Sequence, residues 1–177
     1  MLIVILVINA VMFLVEMTAG VWAGSVGLIA DSLDMLVDAF VYGVALVAVG
    51  GSVAARRRSA RRSGWLQMVL AGMILAEVMR RMAIGSEPEP AVMAVIGVLA
   101  LVANMAAVLM LAGRRGHGLN MRASWIFTRN DTLGNIGVIA AGGLVAATGS
   151  PWPDLAMGVV IAAIIAGGAW HILRISR

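Results

Sequence analysis

An all-α integral membrane protein, built as a bundle of six transmembrane helices, is the fold class this sequence predicts. Three observations carry it. The 177 residues are 62% hydrophobic and only 12% charged, too few charges to solvate a surface of ordinary size. Six stretches hold the roughly 20 apolar residues that cross a hydrocarbon core, at about 2–22, 27–50, 65–84, 91–112, 124–147 and 153–173. The arginines fall unequally between the two sets of connections between these stretches.

The first stretch is too long for a signal peptide, and it lacks a basic leading region and an A-x-A site. "AGSVG" (23–27) predicts a tight hairpin into the second span. "ARRRSARRSG" (55–64) reads as a hydrophilic loop before the third. "GSEPEP" (85–90) and "TGSPWP" (148–153) are Pro/Gly turns leading into the fourth and sixth spans, and "AGRRGHGLNMR" (112–122) precedes the fifth. Five tryptophans, at 22, 65, 125, 152 and 170, fall near span ends, where interfacial anchors belong. The whole chain, 1–177, reads as a single transmembrane domain, and no soluble domain is expected after the sixth span.

Orientation follows from the basic residues, all thirteen of which are Arg. Arg56, Arg57, Arg58, Arg61 and Arg62, then Arg114, Arg115 and Arg122, then Arg174 and Arg177 share one side of a six-span bundle. The other side has only Arg80 and Arg81, beside Glu77, Glu87 and Glu89. Positive charge marks the cytoplasmic side, so both termini are expected there. The arginines are topology determinants, not a nucleic-acid surface. There are no cysteines, which excludes disulfides, thiolate metal sites and a cysteine nucleophile. Thirteen methionines scatter over several helix faces and read as packing.

A charge at mid-membrane costs at least about 2.5–3.5 kcal/mol, so each one needs a reason. Asp34 and Asp38 lie four apart on the second span, one turn apart on one face, and Asp31 is seven before Asp38 on nearly the same line. Aligned carboxylates repel, and are tolerable if protonated, paired with Arg, or bound to a cation. No Arg lies at comparable depth in spans one to four. On the fifth span Asp131 sits roughly 13 Å in from Arg122, and Asp38 roughly 18 Å in from Gly50, at 1.5 Å per residue. These depths let Asp34, Asp38 and Asp131 share one site if spans two and five pack together. Asn135 is one turn beyond Asp131 on the same face, and "DMLVD" (34–38) and "DTLGN" (131–135) form a faint repeat. The alternative is a buried, protonated hydrogen-bond network.

The other polar residues weigh less. Asn9 and Glu16 share a face of span one, and either line a pathway or bond to neighbouring spans. Asn104 either lines the same cavity or makes one interhelical hydrogen bond. Asp31, near the outer end of its span, either caps the hairpin or guards an entrance, and its position favours the structural role. Glu77 is placed to pair with Arg80 and Arg81 at the rim. Arg129 can snorkel or pair with an acid. Asp154 suits the start of span six, since an acid favours a helix N-terminus.

"NAVMFLVEMTAGVWAGSVGLIADSLDMLVDA" (9–39) and "RNDTLGNIGVIAAG" (129–142), within a six-span layout, resemble the cation diffusion facilitator family. That resemblance implies a transmembrane bundle that exports divalent metals such as zinc, cadmium, cobalt, iron or manganese, usually in exchange for protons, from the cytoplasm across a cell membrane. It implies a transport site formed by a pair four apart on span two, here Asp34 and Asp38, and by H-x-x-x-D on span five. The Asp of that motif is Asp131, but the His position is Phe127. The site thereby loses its nitrogen ligand, and Asn130, Asn135 or a water fills the gap, Asn135 having the better face. Oxygen-rich sites suit harder ions than zinc. The family commonly carries a cytoplasmic metal-binding dimerisation domain and His-rich loops. Here the chain stops at Arg177 and has only His117 and His171. A homodimer would then rest on the spans, through small-residue faces such as Gly158 to Gly168.

The expectation is therefore a proton-coupled divalent-cation carrier working by alternating access. Its partners are the metal ion, protons and the lipid bilayer, with no tightly bound cofactor and no enzymatic activity. An intramembrane protease would need Ser and His within the spans, and both histidines lie at the membrane edge. The alternatives are a channel for metal ions or protons, or a proton-pathway protein using the same acids.

Overall fold

The computed structural model describes the backbone of residues 2–47, 53–112 and 119–176, and the side chains of residues 3–41, 43, 57–110 and 131–176. Among the described residues six helices follow one another: α1 (Leu2–Trp22), α2 (Val26–Val47), α3 (Val53–Ile84), α4 (Pro90–Ala112), α5 (Leu119–Thr148) and α6 (Trp152–Ile175). All six anticipated helices are present. Four of them (α1, α4, α5 and α6) are long and apolar enough to cross a membrane on length and composition alone. The other two carry more charge: three aspartates on α2, and a run of arginines with Glu77, Arg80 and Arg81 on α3.

Two boundaries differ from the sequence reading. "ARRRSARRSG" is not a loop, because α3 is helical from Val53 and runs for 32 residues. Arg and Ala are among the best helix formers, and charge ends an apolar segment without ending a helix. Likewise α5 begins at Leu119, within the anticipated loop 113–123, whose residues 113–118 lie outside the described residues. The turns fall where Gly and Pro placed them. Gly24, Gly85 and Gly149 have φ of 64°, 92° and 64°, in the left-handed region open to glycine.

The main packed pairs are α1 with α2, α3 with α6, and α4 with α5, while α2 also packs on α3, α5 and α6. The core joins Val26, Leu28, Leu33 and Val37 of α2 to Leu70, Ile74 and Val78 of α3, Met93, Val138, and Leu155, Ile161 and Ile165 of α6. A smaller cluster of Met12, Met35 and Ala100 joins α1, α2 and α4. Outward faces are apolar, with Val7, Val11, Val102, Leu109 and Val160 exposed, as a lipid-facing bundle requires. Trp22, Trp65, Trp152 and Trp170 are exposed at helix ends, the interfacial placement expected of them, and the Trp125 side chain lies outside the described residues.

Close helix approach relies on glycine. A Cβ at Gly158 would come within 2.6 Å of Val26 Cγ1, so α6 lies directly on α2 there. Of the small residues from Gly158 to Gly168 named for a dimer face, Gly158 is therefore used within the chain, while Gly167 is exposed, with nothing within 4 Å of a Cβ there. Gly158 is buried inside the bundle, and its small size is used between α6 and α2 of one chain.

Candidate functional site

The site begins with how α2 is held. Ser25 Oγ accepts from the Leu28 N–H (3.1 Å) and donates to Asp154 Oδ1 (2.6 Å). The Asp154 carboxylate also accepts from the N–H groups of Val26 (2.7 Å) and Gly27 (2.9 Å). A buried carboxylate thus closes the N-terminus of α2, where the helix dipole favours negative charge. Asp154 does sit in the first turn of α6, as its sequence position indicated, but its hydrogen bonds go to α2. Pro153 has no N–H to offer at the first turn of α6, and Pro151 caps that helix without a side-chain hydrogen bond. The donors in need of an acceptor are the buried amides of α2.

So anchored, α2 directs its acidic face at α5, with Asp31 and Asp38 buried and Asp34 half-buried. From α5 come Asp131 and Asn135, both buried. The register is antiparallel. Asn135 Nδ2 donates to Asp31 Oδ2, and one to two helical turns further along the pair Asp131 meets Asp38, close enough for a side chain–side chain hydrogen bond. Such a bond between two carboxyls requires one proton. Asp131 also interacts electrostatically with Asp34 and Asp31. Gly134 lets the α5 backbone approach, since a Cβ there would lie 3.2 Å from Asp31 Oδ1.

Two further helices contribute. Asn104 of α4 donates from Nδ2 to Asn135 Oδ1 at 2.8 Å, the interhelical bond that was one of its two anticipated roles. Glu16 of α1 is 0% exposed, lies beside Asp31 and interacts electrostatically with Asp31 and Asp34. Asn9 turns back on its own helix, donating to the Ile5 carbonyl at 3.0 Å.

The result is a string of five carboxyls, Glu16, Asp31, Asp34, Asp38 and Asp131, from three helices in an apolar bundle. Several buried carboxylates cannot all be ionised without compensating positive charge. No described arginine acts on Glu16, Asp31, Asp34 or Asp131. The chemistry this arrangement offers is uptake of protons and of cations that accept oxygen donors. It is a string and not a closed cage. Among the described residues, no three or more His, Asp or Glu side chains converge tightly enough to hold a metal ion as they stand. Asn135 has both ends of its amide in hydrogen bonds, leaving one lone pair on its oxygen. The side chains of Phe127, Arg129 and Asn130 lie outside the described residues.

Asp31 and Glu16 are the members that sequence spacing undervalued. Asp31 is not a hairpin cap but is buried and bonded across to α5. The available signal was the shared seven-residue interval, Asn9 to Glu16 and Asp31 to Asp38, which marks one face of each helix. At the rim, Glu77 pairs with Arg80 and Arg81, each at 2.7 Å, as their spacing indicated. Arg81 Nη1 also donates to the Gly24 carbonyl at 2.5 Å, tying α3 to the α1–α2 hairpin.

Comparison with known proteins adds to this geometry. The family model described as the cation efflux transmembrane domain matches residues 2–177. The cation efflux system protein CzcD of Alcaligenes sp. (strain CT14) is 28% identical over 97% of this chain and 58% of its own length. The zinc transporter ZitB of Escherichia coli (strain K12) is 29% identical over 94% of the chain and 58% of its own length. A protein of Bacillus velezensis named as a cadmium, cobalt and zinc/H(+)-K(+) antiporter is 25% identical over 91% and 56% respectively. The chain therefore spans a little under three fifths of the length of these relatives.

Proposed function

Because this chain belongs to the cation efflux family, matching its transmembrane domain over residues 2–177, we propose that it exports divalent metal cations in exchange for protons. It is a multi-pass protein of the bacterial inner membrane. All six helices span, with both termini cytoplasmic, because ten arginines lie on one side against two on the other. The observation that carries the reading is the meeting of buried Asp38 and half-buried Asp34 on α2 with buried Asp131 on α5. The names of the relatives, which cover zinc, cadmium and cobalt efflux, support the substrate class.

In this reading Asp34, Asp38 and Asp131 are the metal ligands, and a cation reaching them displaces their protons. Carboxyls crowded together titrate as a coupled set, so metal and protons compete for the same oxygens. Asn135 offers the remaining lone pair of its amide oxygen, and its bonds to Asp31 and Asn104 fix where that oxygen points. The helices then rock about the site, and external protons release the metal on the far side. With no nitrogen donor in the set, hard and borderline ions are favoured over a zinc-only preference.

The test is uptake into everted vesicles across Zn, Cd, Co, Mn, Fe and Mg, with and without an imposed pH gradient. Saturable uptake that collapses with the gradient is expected. Asp38→Ala and Asp131→Ala should each reduce it to background while the protein still inserts. Uptake at the parent rate in both variants would remove the site assignment.

A further inference from the structure

A cavity of about 250 Å³ opens between α3 and α6, lined by Arg61, Trp65, Trp170, Leu173 and Arg174. The transport chemistry makes no use of it. Trp65 and Trp170 are 56% and 64% exposed, and each stands where its helix passes from apolar to basic sequence. Indole rings at such positions mark the headgroup level of a bilayer. Arg61 and Arg174 are exposed, and neither makes an ion pair among the described residues, in contrast to Arg80 and Arg81 with Glu77. The walls are rigid. α3 packs closely on α6 because Gly64 brings its backbone against Leu173 and Ile172, where a Cβ would come within 2.9 Å of Leu173 Cγ. The helical run through Arg57, Arg58, Arg61 and Arg62 makes this possible, since a flexible loop there would not hold Arg61 at a fixed height.

We propose that this cavity binds the phosphate of an anionic phospholipid. The two guanidinium groups supply charge and paired N–H donors suited to phosphate oxygens. The two indoles flank the glycerol region, and the apolar wall at Leu173 continues toward the acyl chains. A basic pocket between membrane helices at headgroup level is a recurrent form of anionic-lipid recognition. Free phosphate shares the charge chemistry but has no use for the indoles or the apolar wall, so the lipid is the better fit. The exposed arginines outside the cavity, Arg58 and Arg62, provide charge without a pocket.

The experiment is native mass spectrometry of the purified, delipidated chain, titrated with phosphatidylglycerol. Phosphatidylcholine is the neutral arm, and inorganic phosphate is added as a competitor. One phosphatidylglycerol is expected to be retained at concentrations where phosphatidylcholine is not, and millimolar phosphate should not displace it. Arg61→Ala and Arg174→Ala should each weaken retention about fivefold, and the Arg58→Ala/Arg62→Ala pair by clearly less. Equal retention of the two lipids would overturn the proposal. So would displacement by inorganic phosphate, which would make the site one for the free anion. Equal losses in the cavity and control variants would reduce the effect to general surface charge and would also overturn it.

Discussion

Truncating Asp154 tests how far the bundle depends on one buried carboxylate. Asp154 accepts three hydrogen bonds, from Ser25 Oγ at 2.6 Å, Val26 N at 2.7 Å and Gly27 N at 2.9 Å. In Asp154→Ala the Ser25 hydroxyl can rotate to another acceptor, but the two amides are fixed at the start of α2. A buried donor left without an acceptor costs about 1–3 kcal/mol, and losing a helix cap costs about 0.5–2 kcal/mol. These overlap, because the cap and the amide bonds are the same contacts, so the expected loss is about 3–5 kcal/mol. Asp154→Asn keeps one acceptor oxygen and should lose about 1–3 kcal/mol. The assay is reversible unfolding in mixed micelles with increasing SDS, followed by tryptophan fluorescence. Thr18→Ala, whose exposed hydroxyl bonds only to the Leu14 and Val15 carbonyls of its own helix, serves as the neutral control. An Asp154→Ala protein within about 1 kcal/mol of the parent would refute the reasoning, since the amides of α2 would then have found other acceptors.

Four other outcomes are expected. Gly158→Ala places a Cβ 2.6 Å from Val26 Cγ1 and 3.3 Å from Val78 Cγ2, so it should destabilise by about 1–3 kcal/mol in the same unfolding assay. Gly167→Ala, which meets nothing within 4 Å, should stay within about 0.5 kcal/mol of the parent. Asn104→Leu removes the 2.8 Å bond to Asn135 and should lower stability by about 0.6 kcal/mol, to at most about 1.7, on the scale of interhelical bonds in membranes, again by SDS unfolding. Phe127→His adds the nitrogen donor that the family motif carries, and should shift vesicle transport toward zinc relative to manganese; an unchanged preference order would dissociate residue 127 from selectivity.

Much of this was legible in the sequence, and the limits have physical causes. Hydropathy located the six helices because burial in lipid demands long apolar runs. It misplaced the starts of α3 and α5 because it reports where a helix leaves the apolar phase, not where the helix begins. The convergence of Asp38 and Asp131 followed from counting residues to the membrane edge, since helical rise fixes depth. Their neighbours were harder. Whether Asp31 faces lipid, loop or α5 depends on the rotation of α2, and that rotation is set by Asp154, some 120 residues away. Glu16 depends in turn on the α1–α2 packing, where Gly20 lies against Leu28 and Ile29. Spacing along one helix carries no information about the azimuth of its partner.

These attachments constrain the movements of the carboxyls that the proposed metal export requires. α2 is tied to α6 at its N-terminus through Asp154, and to α5 one to two turns later through Asp31 and Asn135. Asn104 extends the second tie to α4. Asp34 and Asp38 lie beyond both ties, along the part of α2 that runs toward the opposite end of the bundle. A movement that separates Asp38 from Asp131 therefore has two options. It can pivot about the Asp31–Asn135 contact, leaving the α6 cap intact, or it can break that contact and leave a buried carboxyl and a buried amide short of a partner. The second option carries a desolvation cost that the first avoids. The pivot is thus the cheaper path, and in the proposed transport cycle it makes Asp31 a fulcrum for the rocking of α2 against α5, with the carboxyls of Asp34, Asp38 and Asp131 opening and closing on one side of it.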